Sequence, residues 1–496
     1  MKKHFLTIIY LVLFVKNYGQ LPANQKYGYY KNRLITKFVI DGDPIKKGFN
    51  LPITIRNTIH TNDTLNDWGD GTIMLGWYIS VLATEYEVNL LNGVNTSSTI
   101  AQLYRALQTV NRLDSMAEIY YGGTPSLNGF FMRSDADTTL ITAAQSLNPN
   151  FFENKNCMAS PYSCGRSCFN MPLNCPSHLV NEESQDQLYH LVMGLSLTAK
   201  FCNIAYGGVN LSNYAKTICH RLILYCKQNS WKIKNPVTGN NVYIGEDMTY
   251  YSYGFATAGQ NVTGINYSDA VTNSSSALLV WNILPTLPIN NVTVDNASMY
   301  LTIAAIANKN SLDVDSFAYK KEMYIFPLLR QCLNGGSNMI NDTVYTNLIN
   351  DAPATGNFYY NVNNKSTGKW HCVNIFLYPN RKNNPEIYGS NVFTGLYHGM
   401  DFMLLHNLYA IKQQLVGLKK YALEEKYINI YPNPSDGCFF LTTNSKGIYK
   451  IVDCLGNKIR SINVKNYEEK IDISDLPKGI YFLIGENLSK KLVVSN

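Results

Sequence analysis

Carboxylates recur where this chain turns from polar to apolar. In "DWGDGTIMLGWYISVLATEYEV" (residues 67–88), Asp67 and Asp70 flank Trp68, and an almost wholly apolar stretch follows. Asp186 lies in the opening turn of "ESQDQLYHLVMGL", and Glu246 and Asp247 open "EDMTYYSYGFATAG". Asp401 falls inside "TGLYHGMDFMLLHNLYAI", one turn after His398. An acid in a first helical turn complements the helix dipole by about 0.3–1 kcal/mol, so each alone reads as a cap. Their company adds a second reading. Asp186 and His190 are four apart and share a helical face, and Ser184 and Gln187 have the spacing of a capping box. Trp68, Trp77, Tyr78 and Tyr250 stand near the acids. Aromatic faces beside carboxylates suit a sugar ring, although Trp77 and Tyr78 also fit a core, which leaves Trp68 as the better platform. A protonated and an ionised carboxyl across a glycosidic bond can hydrolyse it. The candidate catalytic acids are Asp70 and Asp186, with Asp247 in reserve.

In "NGFFMRSDADTT", Arg133 offers a fork that fits the carboxylate of an acidic sugar, and Arg133 with Asp135 also reads as a plain surface ion pair. Asp67, Trp68, Arg133, Asp135, His190, Trp370, His398 and Asp401 are the candidate substrate-binding residues. No cofactor is implied, except that grouped carboxylates could hold Ca²⁺.

Helical periodicity must position these groups. "TIMLGWYISVLATEYEVNLL" and "SQDQLYHLVMGLSLTAKFC" are apolar on nearly every face, while "TIAQLYRALQTVNRLDSMAEIYY" and "NYAKTICHRLILYCKQ" are amphipathic. An all-round apolar helix is an inner one, and an amphipathic helix covers it. Further helices are predicted near 27–39, 246–259, 270–284, 296–309, 317–333 and 390–416, with weaker ones near 138–148 and 338–349. Twelve helices in inner and outer alternation predict a mainly α fold, an (α/α)6-type toroid of helical hairpins over residues 21–416. Parallel inner helices would bring their N-termini, and so the acids, around one cavity. No phosphate loop, GxSxG or HExxH motif is present.

The chain has 496 residues, 46% hydrophobic and 16% charged, which describes a globular protein. Its net charge of +7 is spread out, with no basic block of the kind that binds nucleic acid. "MKKHFLTIIYLVLFVKNYGQ" has the layout of a secretory signal peptide over residues 1–20, and no later stretch is long enough to span a membrane. Export permits disulfides among the eleven cysteines. In an exported chain Cys157, Cys164, Cys168 and Cys175 read first as disulfides of a surface loop, with a zinc site of spacing unlike the common CxxC pairs or free thiols as the alternatives, and Cys202, Cys219 and Cys226 read as core thiols.

After a linker at 417–425, residues 426–496 become short alternating runs broken by Pro, Gly, Asn and Asp, the pattern of a small β-sandwich. Tyr431-Pro432-Asn433-Pro434, Val452-Asp453 with Gly456-Asn457-Lys458, Gly479-Ile480-Tyr481 and the closing "KKLVV" resemble the C-terminal sorting domain of the type IX secretion system of Bacteroidota. The resemblance implies passage across the outer membrane, an encounter with that machinery, and release or attachment at the cell surface. Cys438 and Cys454 depart from the pattern, and their pairing is open.

The body, over residues 27–416, resembles six-hairpin carbohydrate-active enzymes through "DWGDG…LGWY…ATEY" and "SQDQ…H". No catalytic residue is carried over from that resemblance. Three functions follow for an exported protein meeting a poly- or oligosaccharide: a glycoside hydrolase, a polysaccharide lyase in which Arg133 neutralises a uronate, or a glycan-binding protein without turnover.

Overall fold

A computed structural model describes residues 23–57, 64–67, 70–136, 156–157, 181–243, 245–287, 292, 294–352, 359–361, 394–396, 398–415, 428–443, 447–454, 456–466, 468–485 and 488–495. The chain divides into two units, residues 1–417 and 418–496.

Among the described residues the first unit holds twelve α-helices. They are α1 (Ala23–Arg33), α2 (Gly71–Leu91), α3 (Ser97–Tyr120), α4 (Gln185–Phe201), α5 (Leu211–Gln228) and α6 (Ser252–Thr263), followed by α7 (Ser275–Ile283), α8 (Val294–Ile306), α9 (Ser311–Lys320), α10 (Ile325–Asn334), α11 (Asp342–Asp351) and α12 (Met400–Leu415). Asparagine supplies several starts. The side chains of Asn210, Asn310 and Asn341 accept from backbone N–H groups in the first turns of α5, α9 and α11, which satisfies donors a helix leaves orphaned.

Apolarity sorts the helices as expected. Residues 71–86 of α2 are all buried, as are 187–198 of α4 and 400–408 of α12. Packing runs from α2 to α4, from α4 to α6 and α8, from α8 to α10, from α10 to α12, and from α12 back to α2. Helices α3, α5, α7, α9 and α11 lie against members of this circuit. The even-numbered helices share a direction. Near their starts, Tyr189 of α4 meets Tyr251 and Phe255 at the start of α6, and Gln187 of α4 reaches Ile73 of α2. At their ends, Asn261 of α6 and Asn334 of α10 donate to the carbonyls of Ile306 and Ala305 of α8. Lys200 and Lys412, near the ends of α4 and α12, both act on Cys332 near the end of α10.

A five-stranded sheet was not expected inside this unit. Its strands are β1 (Thr54–Asn57), β2 (Thr64–Asp67), β3 (Asn156–Cys157), β6 (Tyr359–Asn361) and β7 (Thr394–Leu396), in the order β3-β2-β1-β7-β6. The small hairpin β4 (Ala205–Tyr206) and β5 (Val209–Asn210) joins α4 to α5. Strand β1 pairs antiparallel with both β2 and β7. Since β2 leads into α2 and β7 into α12, this pairing holds those two helix starts side by side.

Three helix boundaries need correction. The stretch 317–333 is two helices, because Glu322 takes a left-handed φ of 58° between them. The helix expected at 246–259 starts at Ser252, after a 3-10 turn at Thr249–Tyr251. The one expected at 390–416 starts at Met400, so Asp401 sits in its first turn and His398 precedes it. The helix expected near 138–148, the signal segment and the 417–425 linker lie outside the described residues.

The second unit is a sandwich of a four-stranded and a three-stranded sheet. Its strands are β8 (Ile428–Tyr431), β9 (Cys438–Thr443), β10 (Gly447–Val452), β11 (Lys458–Val464), β12 (Glu468–Asp472), β13 (Gly479–Gly485) and β14 (Leu488–Val494). The sheet orders are β11-β10-β13-β14 and β12-β9-β8. Phe439, Leu441, Ile451, Ile471, Leu483 and Leu492 alternate inward to form its core. Cys438 and Cys454 are free thiols, as are the buried Cys202, Cys219 and Cys226.

Candidate active site

Asp70 and Asp186 meet through three intermediaries. Asp70 occupies the N-cap of α2, yet its side chain caps nothing there. It faces Arg133 Nη1 at 3.5 Å and Gln187 Nε2 at 3.4 Å. Gln187, from the first turn of α4, takes over the capping of α2: its Oε1 accepts from Ile73 N at 3.1 Å and from the Thr72 hydroxyl. Arg133 also donates Nε to the Glu182 carbonyl at 2.8 Å and Nη2 to Ser184 Oγ at 2.8 Å. Ser184 donates onward to Asp186, whose Oδ1 also accepts from Gln187 N at 3.0 Å. The expected capping box is therefore rearranged. Ser184 makes no cap bond; Asp186 accepts from Gln187 N in the first turn of α4, and the Gln187 side chain caps α2 instead.

Asp186 is half-buried, whereas Asp70 and Arg133 are buried. His190 is buried beside Trp77, and its Nδ1 lies 2.6 Å from the Asp186 backbone oxygen, not from the carboxylate. Gln185 N donates to the Gly245 carbonyl, so the loop carrying Asp247 abuts the start of α4. The Asp247 carboxylate accepts locally from Thr249 N and Oγ1, at 2.9 and 2.6 Å. Tyr250, on the same loop, is 53% exposed.

The remaining candidates are spread out. Asp135 does not pair with Arg133. It is fully buried in a bidentate bond with Arg112, at 2.5 and 3.0 Å, and accepts from Gly48 N. Asp401 is also fully buried and accepts from Phe402 N, while His398 Nδ1 accepts from Met400 N at 3.1 Å. Burial, with the Arg33 charge nearby, pulls the His398 pKa down to about 3, so the ring is neutral at ordinary pH. Asp67 is placed by its backbone at the end of β2, opposite Thr54. Trp68 and Trp370 lie outside the described residues, as do Cys164, Cys168 and Cys175. Among the described residues no three His, Cys, Asp or Glu gather as a metal site.

Four acids beside the network were not singled out from sequence. Asp114 accepts from Gly129 N, Asn128 N and Arg221 Nε, and Glu118 accepts from Asn128 Nδ2. Glu183 accepts from Phe131 N, and Glu182 from Asn235 Nδ2 and Tyr243 N. Asp114, Glu118 and Glu183 pin the segment that presents Arg133, while the Glu182 carboxylate holds the 235–243 loop. Burial pushes Asp114 up to about 6 and Glu118 up to about 7, and it raises Glu182 and, well above its usual range, Glu183. The pair Glu182-Glu183 just ahead of the Ser184 cap was the available signal.

Residues 429–495 match the secretion system C-terminal sorting domain family. No curated protein and no solved structure matches the chain. The sorting domain marks the chain for the type IX machinery, and hence for the cell surface or release. No helix among the described residues is long and apolar enough to cross a membrane.

Proposed function

We propose that the helical unit is an (α/α)6 toroid acting outside the cell as a glycoside hydrolase, with Asp186 and Asp70 as its paired carboxyls. The observation that carries this reading is the continuous polar link Asp70–Arg133–Ser184–Asp186, which joins acids 116 residues apart in sequence at neighbouring helix starts. The packing circuit and shared direction of the even-numbered helices support the toroid, since that geometry opens all six helix starts toward one end. Asp186 is the more accessible of the two acids and is the group offered to the sugar. Asp70 completes the pair, and the neighbouring loop adds Asp247 in reserve and Tyr250 as an exposed ring for stacking.

Hydrolysis is favoured over elimination. Arg133 is buried, and each of its three guanidinium nitrogens has a partner inside the protein, which places it poorly for neutralising a uronate.

The test is turnover of a broad glycan panel by the full chain, reading new reducing ends and ultraviolet absorbance together. A hydrolase yields reducing ends without an unsaturated product. Asp186→Asn is expected to lower kcat about 10²–10⁴-fold while the circular dichroism spectrum is unchanged. Saturable binding without turnover, or undiminished turnover in a folded Asp186→Asn, would sink the proposal.

A further inference from the structure

The two outer faces of the C-terminal sandwich differ in character. On the three-stranded sheet, Phe440 stacks on Tyr431 and lies opposite Lys470, Tyr431 donates to Glu468, and Asp472 completes a surface of both signs. The four-stranded sheet presents Ile480, Phe482 and Ile484 along β13, with Val493 opposite Ile480 and Ile448 diagonal to Ile484. Ile448 is 69% exposed, Ile480 46% and Ile484 39%. The charges that share this face are all positive among the described residues. Lys450 lies opposite Ile484, Lys491 opposite Phe482, and Lys458 opposite Val452.

We propose that this face docks the export machinery, seating its isoleucines on an apolar surface rimmed by carboxylates. The sorting domain implies an encounter with that machinery. A contiguous apolar stripe on a soluble domain marks an interaction site. The lysines, the charges described on this face, favour an acidic partner and speed the encounter. The opposite face, with charges of both signs and an internally bonded tyrosine, has neither property.

The test is export of the full chain in a cell with a type IX system, comparing protein outside the cell with protein held in the periplasm. Ile448→Asp combined with Ile484→Asp is expected to lower the exported fraction about tenfold or more, as loss of a central anchor does. Lys450→Glu with Lys491→Glu touches no core residue and is expected to lower it severalfold. Phe440→Asp on the other face is expected to export like the parent. Protease resistance of the retained protein shows whether it is folded, and if the isoleucine variant is not, the lysine variant decides. Normal export of the folded variants, or an equal loss with Phe440→Asp, overturns the proposal. So does a parent chain that is a dimer dissolved by Ile484→Asp, since a second copy would already cover the face.

Discussion

Gln187 touches both halves of the candidate site: its side chain faces Asp70 and caps α2, and its backbone N–H donates to Asp186. Its type and place after Ser184 marked a helix start, but not that its amide would cap a different helix. The acids Asp70 and Asp186 were legible because carboxylates at apolar helix starts form a local pattern. Their partners were not. Arg133 stands two residues from Asp135, yet its charge goes to Asp70, 63 residues away. Arg112 takes Asp135 with a better-shaped fork. The buried acids give a prediction with a definite sign. Glu118 and Asp114 have folded pKa values raised to about 7 and about 6, so the stability they contribute is complete below about pH 4 and is lost as pH rises through 6 to 7. His398, depressed to about 3, works at the other limb, where stability is lost as pH falls from its ordinary value toward 3. Glu118→Gln keeps the oxygen that Asn128 uses and removes the titration. Relative to the parent it is expected to gain about 1–3 kcal/mol at pH 8 over its value at pH 4. Urea unfolding at the two pH values measures this, and an equal drop in both proteins would show that Glu118 is not the group responsible.

Helices were easier to read than their edges. All-round apolar segments became α2 and α4, because a helix without a polar face can only be stable inside. The five-stranded sheet was missed because runs such as "TIRN" and "TLND" are too short to show alternation. Nor did the sequence reveal how closely α2 and α4 approach. A Cβ on Gly76 would lie 2.3 Å from the carbonyl of His190, and one on Gly194 2.7 Å from the Gly76 oxygen. These neighbours are backbone and cannot turn aside. Gly76→Ala is therefore expected to cost about 3 kcal/mol, at the high end of overpacking changes, and to disturb the Gln187 bridge one turn away. Gly28→Ala, on an exposed face of α1 with nothing within 4 Å, is expected to be neutral or to stabilise by about 0.5–1 kcal/mol. Urea titrations of the two variants test the contrast, and similar midpoints would mean that α2 and α4 can slide apart at little cost.

At the scale of the molecule, the division into a helical body and a β tail was plain from the change of period near residue 426, and the tail carried its own motifs. How the first helix of the body meets the last two was not plain, because it depends on contacts between chain segments far apart. Helix α1 packs on α12 through Tyr30 and Phe402 and through Tyr27 and His406. The buried Lys26 donates to the carbonyl of Ile349 at 3.2 Å and to that of Asn350, at the end of α11. An ammonium there satisfies carbonyls that the helix leaves open and complements the negative end of its dipole. Nothing in "ANQKYGYYKNR" indicates this partner, since Lys26 looks like one polar residue among many. Replacing it separates a clasp from a surface charge. Lys26→Met keeps the stem and removes the donors, so buried carbonyls lose their partner at about 1–3 kcal/mol. The helical unit is expected to melt earlier and to become more susceptible to protease at the ends of α1 and α11, while hydrogen exchange in the sandwich core around Leu441 and Leu483 is unchanged. Each unit has its own buried core, which makes that selectivity the informative part of the measurement: uniform loosening of both units would assign Lys26 a role other than clasping the first helix to the end of α11.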